Sequence, residues 1–497
     1  MEQENKCEKI EIIDDVNDTK AESEGHEHHS HSHHSSHSHH GSHSHHGRHR
    51  SSSHKKHNRN KKKKLLDKIQ SWINKKLGLK GILVISLSVI LVIFLLIGII
   101  YLIEMNTANN ALPDNNQDGF VSSETDFDFG TSDYSSATVN IPSYWENMIN
   151  EKTKTVKVLQ TAGGKDCVSF AWASDTHIPD NYTGRTNDLG KIMAKMLDNC
   201  EIPFAVLSGD IGTRASYSTE DDFIKTQDMI PLHLAPLWGT DRLLVALGNH
   251  DGCYGDSSGY YKKQYTSEKL WQMYFRGQAL DSRRVFSEGG TYFYVDNKAQ
   301  KIRFIILNSQ FGGEYSADEN GWAVNNRFAV SCYGQEQLDW LANVALNMPK
   351  GYGAVIVSHV PPKMLYSTNS EPYTVDYAQL CGIINAYNKK TTFKGSYTAG
   401  VNGWSNSTVN VDFSGAKGEI IAMFTGHIHQ DSIDTTTLEC PLITIISAGA
   451  TVNYGEAPER KFGTDTETSF DVVTINRKTR TIYCTRVGAG EDRIVKY

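Results

Sequence analysis

The body of this chain lacks a basic track. From Glu104 onward 34 Lys and Arg stand against 46 Asp and Glu, so that part carries a net charge of −12 and is a poor partner for long nucleic acid. The seven cysteines of the body, Cys167, Cys200, Cys253, Cys332, Cys381, Cys440 and Cys484, include no CxxC pair. That argues against a thiolate zinc site or a thioredoxin-like motif. They read mainly as free thiols acting as small buried hydrophobes, and their odd number leaves at least one without an intramolecular partner. Proline is scarce, at 12 of 497 residues, and no Pro- or Ser-rich break divides residues 141–497. With no internal repeat either, that stretch reads as one domain.

What is present is unevenly distributed. Residues 1–64 read as a disordered tail. Fifteen of the 21 histidines fall between His26 and His57, among Ser, Gly, Lys and Arg. Such a stretch has almost no apolar surface to offset its ordering entropy. It is either a solvated low-complexity tail or a weak sponge for zinc, nickel or copper. Residues 65–80 form the next segment, a basic juxtamembrane helix. Leu65, Leu66, Ile69, Trp72, Ile73 and Leu77 recur at helical spacing beside Lys68, Lys75, Lys76 and Lys80, a pattern suited to an anionic membrane surface.

Residues 81–103 contain no charge across 23 positions. At about 1.5 Å per residue they exceed a ~30 Å hydrocarbon core and are expected to form one transmembrane helix. Thirteen Lys and Arg with one acid occupy residues 48–80, whereas residues 104–140 hold seven acids and no Lys or Arg. The positive-inside rule then places the N-terminus in the cytoplasm and the body outside it. Residues 104–140 read as an acidic linker. Within it Asp114–Gly119 copies the first half of a calcium loop, but Thr125 stands where a bidentate Glu belongs.

Beyond the linker, Ser143–Leu159 is expected to be an introductory helix or arm. Apolar runs then alternate with amphipathic ones. Strands are expected at Val168–Ser174, Phe204–Ser208, Leu243–Leu247, Tyr292–Val295, Ile302–Asn308, Ala354–Ser358, Ile420–Thr425, Leu442–Ser447, Phe470–Ile475 and Thr481–Arg486. Helices are expected at Leu189–Asn199, Asp221–Leu232, Ser267–Tyr274, Gly334–Asn347 and Val375–Tyr387. This alternation points to an α/β layered fold.

Five of these apolar runs end in polar residues of one chemical kind. VSFAWAS leads into Asp175-Thr-His177, FAVLSG into Asp210, LLVALG into Asn249-His250-Asp251, AVIVS into His359, and IIAMFTG into His427-Ile-His429. In open α/β sheets ligands bind beyond the carboxyl ends of strands. Converging ends would make a cage of oxygen and imidazole donors suited to manganese, iron or zinc. The donors are too many for one tetrahedral ion, and two ions sharing a carboxylate would use them all. Such a pair clamps a phosphoryl group and sharpens a bridging water into hydroxide. A histidine beside an acid, as in His250-Asp251, suits protonation of the leaving oxygen.

These blocks closely resemble the signature of the calcineurin-like metallophosphoesterase superfamily: D-x-H, G-D, G-N-H-D/E, a lone H, and G-H-x-H. All five occur in order, and the resemblance covers about Val168 to Ile433. It implies two packed mixed β-sheets flanked by helices, a four-layer sandwich with the metals at one edge. It further implies that Asp175, His177 and His429 hold one divalent ion and that Asn249, His359 and His427 hold the other, with Asp210 between them. His250 would contact phosphate and protonate the leaving group, and Asp251 would orient His250. Thr213 stands where purple acid phosphatases carry tyrosine, which speaks against that subfamily. The expected partner is a phosphorylated small molecule, lipid or polymer, hydrolysed as a mono- or diester outside the cytoplasm by a membrane-anchored enzyme.

Two other readings have a basis in the sequence: a metal-handling surface protein working through its His-rich tail, and a catalytically silent envelope or adhesion protein on the same fold. Some features carry less weight. Cys253 reads as a bystander thiol near the pocket. The aromatics between Tyr254 and Phe275 read as satellite core rather than a lid. Asn181 and Asn406 begin glycosylation sequons.

Overall fold

A computed structural model describes residues 140–178, 188–212, 220–254, 263–275, 284–287, 290–313, 324–325, 327–362, 374–398, 404, 406–449 and 458–497, together with Lys68 and Ser71. Backbone contacts divide the chain into Met1–Glu124 and Thr125–Tyr497; Lys68 and Ser71 are helical, and the other described sheets and helices belong to the second unit. Among the described residues no helix is long and apolar enough to cross a membrane. The expected span at 81–103, the basic helix at 65–80 apart from Lys68 and Ser71, the His-rich tail, the acidic linker with its partial calcium loop, Cys7, Asn181 and Thr213 lie outside the described residues.

Two mixed sheets form the centre. The first, in spatial order, contains Arg493–Lys496 (β17), Thr481–Gly488 (β16), Ser469–Asn476 (β15), Cys167–Ala173 (β1), Ala205–Ser208 (β2) and Leu243–Ala246 (β3). Its β1, β2 and β3 are parallel, and β15 to β17 continue from β1 in antiparallel fashion. The second contains Ser432–Asp434 (β13), Leu442–Thr444 (β14), Glu419–Thr425 (β12), Gly353–Val357 (β9), Ile302–Ile306 (β8), Phe293–Asn297 (β7) and Arg284–Phe286 (β6). Strands β14, β12, β9 and β8 are parallel. Two short pairs stand apart: Cys253–Tyr254 (β4) with Lys263–Gln264 (β5), and Thr392–Tyr397 (β10) with Ser407–Asp412 (β11).

The period-2 alternation of strand side chains explains why the sheets stack. Along β8, Ile302, Phe304 and Ile306 face the first sheet, while Ile305 faces the other way. In β9, Val355 and Val357 point inward and Ala354 and Ile356 outward. A register shift between Ile420 and Ala422 in β12 lets Ile421, Ala422 and Phe424 join the inner core. Edge-to-face rings close the interface, with Phe170 5.2 Å from Phe304 and Trp172 4.8 Å from Phe424, a geometry that aromatic quadrupoles favour.

Helices cover both outer faces. On the first sheet lie α1, Glu146–Gly163, and α2, Leu189–Cys200. In α2, Leu189, Ile192, Met193, Met196, Leu197 and Cys200 are buried at one-face spacing. The helix ends where Glu201 turns left-handed and its N–H reaches Leu197 and Asp198. The expected helix at 221–232 is broken into α3, Glu220–Gln227, and α4, Ile230–His233. Pro231, which has no N–H to donate, sits in the first turn of the second piece. Next comes α5, Ser267–Tyr274, capped by Thr266, whose side chain accepts from Lys269 N–H. On the second sheet lie α6, Gly334–Trp340, and α7, Tyr377–Lys389. The expected continuation of α6 to Asn347 becomes a π-helical segment, Leu341–Ala345. The architecture is therefore the expected one of two mixed sheets between helical layers.

The unit is tied at its entry. Trp145 is fully buried, and Glu467 accepts from Tyr144 Oη at 2.8 Å, Trp145 Nε1 at 3.1 Å and Gly463 N–H at 2.9 Å. All seven body cysteines are free, and all but the half-buried Cys381 are buried.

Candidate metal centre

The central parallel strands of both sheets, β1, β2, β3, β9 and β12, end at one edge of the sandwich, and every block singled out in the sequence comes directly after one of these ends. Backbone hydrogen bonds register the loops. Asp175 N–H donates to Gly209 O at 3.0 Å, His177 N–H to Asp210 O at 3.1 Å, and Gly426 N–H to His359 O at 2.9 Å. His427 N–H donates to the Asp175 carboxylate at 3.0 Å, joining the two sheets at the site. Side chains at 248 and 426 are excluded. A β-carbon on Gly248 would collide with the Asp210 carboxylate, and one on Gly426 with Ser174 Oγ and Asp175 Oδ2. The glycines of the G-N-H-D and G-H-x-H blocks are there for close approach.

Three groups of donors result, each with its ligand atoms within 4.8 Å of one another: Asp175, His177 and His429; His177, Asp210 and His250; and Asp210, His359 and His427. Asn249 joins the last through Oδ1, 3.1 Å from His359 Nε2 and 3.0 Å from His427 Nδ1. His429 Nε2 lies 3.1 Å from both His177 Nε2 and Asp175 Oδ1. His359 Nε2 and His250 Nε2 lie 3.1 and 3.7 Å from Asp210 Oδ2. His427 is half-buried and the other members are buried.

The tautomer of His359 tests whether this cage fits cations. Its Nδ1 is 2.8 Å from Ser208 O, and a carbonyl can only accept, so Nδ1 carries a proton. In the neutral ring Nε2 is then a lone pair aimed at two oxygens, Asn249 Oδ1 and Asp210 Oδ2. That arrangement repels unless positive charge intervenes, either a proton on Nε2 or a metal ion. His177 Nε2 and His429 Nε2, 3.1 Å apart beside the Asp175 carboxylate, bring two more imidazole donors to close range. The donor set suits manganese, iron or zinc. The carbonyl behind His359 is the usual second partner of a metal-bound imidazole.

Electrostatics divide the imidazoles into two kinds. Burial pushes His250 down to about 3 and His427 down to about 4, leaving neutral rings of the kind that ligate. Burial also lowers His177, reinforced by His429. Burial opposes charge on His359 as well, but the Asp210 carboxylate outweighs it and raises the ring to about 9. Asp175 and Asp210 experience the opposite balance. Burial raises both, yet the His429 and His359 imidazoles, respectively, hold them below the ordinary carboxylate range.

Asp251 occupies a different place. Its Oδ1 accepts from Ile211 N–H at 2.8 Å and Gly212 N–H at 3.0 Å, and its Oδ2 accepts from Gly248 N–H at 2.7 Å. It fastens the loop after β2 to the loop carrying His250. Burial, with Asp210 nearby, raises its pKa against those donors.

Among the flanking features, burial pushes the Cys253 thiol up to about 12, which makes it inert. Tyr265, Leu270, Met273, Tyr274 and Phe275 belong to the main core rather than to a lid, and Tyr274 Oη donates to Gln227 Oε1 at 2.7 Å. Sequence reasoning missed Ser208 O behind His359 and Phe328, whose half-buried ring stands edge-on to His250 at 4.9 Å. The apolar-run pattern offers no signal for either, because one is a backbone atom and the other lies in an irregular loop.

The family model described as calcineurin-like phosphoesterase matches residues 168–431, more than half of the chain. The chain belongs to that family. Among solved structures it is similar to a dimetal phosphatase from Danio rerio, at 12% identity over 66% of this chain and 99% of that one, with a TM-score of 0.42. It is also similar to the NAD nucleotidase of Haemophilus influenzae, at 12% identity and a TM-score of 0.29, over 66% of this chain and about half (49%) of that one. No curated protein matches the chain by sequence.

Proposed function

We propose that this chain hydrolyses a phosphate ester, mono- or diester, at a two-metal centre outside the cytoplasm, anchored by residues 81–103. One observation carries the catalytic part: seven potential ligand side chains from five strand ends meet at one edge with their donor atoms converging. Bound there, a pair of divalent ions would neutralise the phosphoryl oxygens and supply an activated water. Asp175, His177 and His429 hold one side of the site, and Asn249, His359 and His427 hold the other, with Asp210 shared. His250 reaches toward Asp210 from a third direction, where its ring can hydrogen-bond a phosphoryl or leaving oxygen. Asp251 is a positioning residue, bracing the turn from which His250 projects. The extracytoplasmic placement rests on the charge asymmetry about residues 81–103.

The test is turnover by the full-length protein against panels of phosphomonoesters and diesters. Asp210→Ala and His250→Ala should each lower turnover by about 10²–10⁴-fold while circular dichroism and thermal unfolding show a folded protein. Chelation should silence the enzyme, with manganese, zinc or iron restoring it. Full activity in both variants would refute the assignment.

A further inference from the structure

The loop that carries His427 and His429 is under backbone strain. Both histidines are left-handed, with φ of 70° and 53°, a conformation that costs a residue with a β-carbon roughly 1–2 kcal/mol. Strain of this kind persists only where the surroundings over-determine it. At its start the loop is held by Gly426 N–H on His359 O and by His427 N–H on Asp175. Two residues past His429, Asp431 provides the hold at its end. Asp431 Oδ1 accepts from Arg486 Nη2 at 2.7 Å, lies 3.1 Å from Arg493 Nη1, and receives Ile446 N–H at 3.3 Å. Both arginines also grip Asp471, Arg486 through Nε at 2.6 Å and Arg493 through Nη2. Arg486 and Asp471 are fully buried, and the Asp431 side chain keeps 26% of its exposure.

These partners lie on β15, β16 and β17 of the first sheet, whereas the loop leaves β12 of the second. All three lie beyond residue 431, where the family match ends. We propose that Asp431, held by Arg486 and Arg493, is a positioning residue for the Asp175, His177 and His429 metal group, so that the C-terminal strands are part of the metal-binding apparatus. Planar guanidinium forks fix direction as well as charge. They lock the exit of the loop while Gly426 and His427 lock its entry, and the His429 ring is left one orientation. The proposal rests on the two-metal reading above.

The test is calorimetric titration of Mn²⁺ into the metal-stripped full-length protein, with His177→Ala identifying which binding step belongs to this group. Asp431→Asn should weaken that step about 10–100-fold, the usual cost of losing an outer partner of a ligand, and leave the other step unchanged. Arg486→Lys, which keeps the charge but loses the fork, should fold like the parent and weaken the same step to a smaller degree. Two wild-type binding steps in both variants would overturn the proposal and leave the metal centre standing. An equal loss at both steps in Arg486→Lys would also overturn it, because it would mean general loosening. Absence of any metal binding by the parent would instead sink the reading of the centre itself.

Discussion

The two ends of the sandwich use the same strained conformation for different purposes. At the end where the parallel strands finish, Asp175, His177, Asp210, His427 and His429 all have positive φ. Four of them are buried and the fifth half-buried, and all are candidate ligands. At the opposite end, where those strands begin, the positive-φ residues with side chains are Glu201, Lys301, Lys390 and Arg480. Two of them close helices and two sit between hairpin strands, and only Lys390 is less than exposed. There the left-handed residue makes a turn, and glycine would serve as well. At the working end it aims a carboxylate or imidazole inward, and glycine would remove the group being aimed. Strain at that end is sustained by burial and by the hydrogen bonds between loops.

Three measurements would sharpen or break this contrast. His429→Gly should lose more activity than the ~10–100-fold expected for an outer partner of a ligand. Its thermal stability in chelator should be no lower than that of the parent, since glycine relieves the left-handed turn. A drop of several degrees in chelator would show that the ring stabilises the fold.

Next in size is Asp471→Asn, which leaves two arginines short of their buried partner and should destabilise the full-length protein by about 3–5 kcal/mol in urea unfolding. Burial raises the Asp471 carboxyl, but Arg486 and Arg493 outweigh burial and lower it. A carboxylate with a lowered folded pKa contributes stability above its unfolded value of about 4, and that contribution is lost as pH falls through the folded value. Acidification below about pH 4 should therefore cost the parent more stability than it costs the variant; equal pH slopes would refute the pairing.

The smallest effect is expected at the far end. Glu201→Gly should raise stability by about 1 kcal/mol, with turnover and metal affinity at parental values. Destabilisation there would break the distinction between the two ends.

Much of the fold and the site was legible in the sequence because apolar runs ending in Asp, Asn or His are long-range information written locally. All ten expected strands form, within a few residues of their expected limits, since strands buried on both faces read as largely apolar runs. The strands that the sequence did not reveal carry other patterns. Thr392–Tyr397 and Ser407–Asp412 alternate half-buried or buried with exposed positions in a two-stranded pair, and Arg284–Phe286, Ser432–Asp434 and Arg493–Lys496 are short edge strands. The π-helical turn after Trp340 has no sequence signature of its own. At the site, residue types and order singled out side chains that the fold brings together. The carboxylate of Asp251 takes up three backbone donors, which spacing along the chain could not reveal. The same holds for Arg486, 55 residues from Asp431 in sequence.

The latch formed by Tyr144, Trp145 and Glu467 has a practical corollary. Glu467 lies just before β15, and β15 runs antiparallel to β1 with Asp471 opposite Trp172, so the latch sits at the level where β1 gives way to Asp175. Tyr144 and Trp145 thus lie beside the rim that carries the candidate ligands, not at the far side. Fusing a bulky reporter at residue 140 would crowd the candidate metal centre, whereas β17 offers an attachment point on another flank.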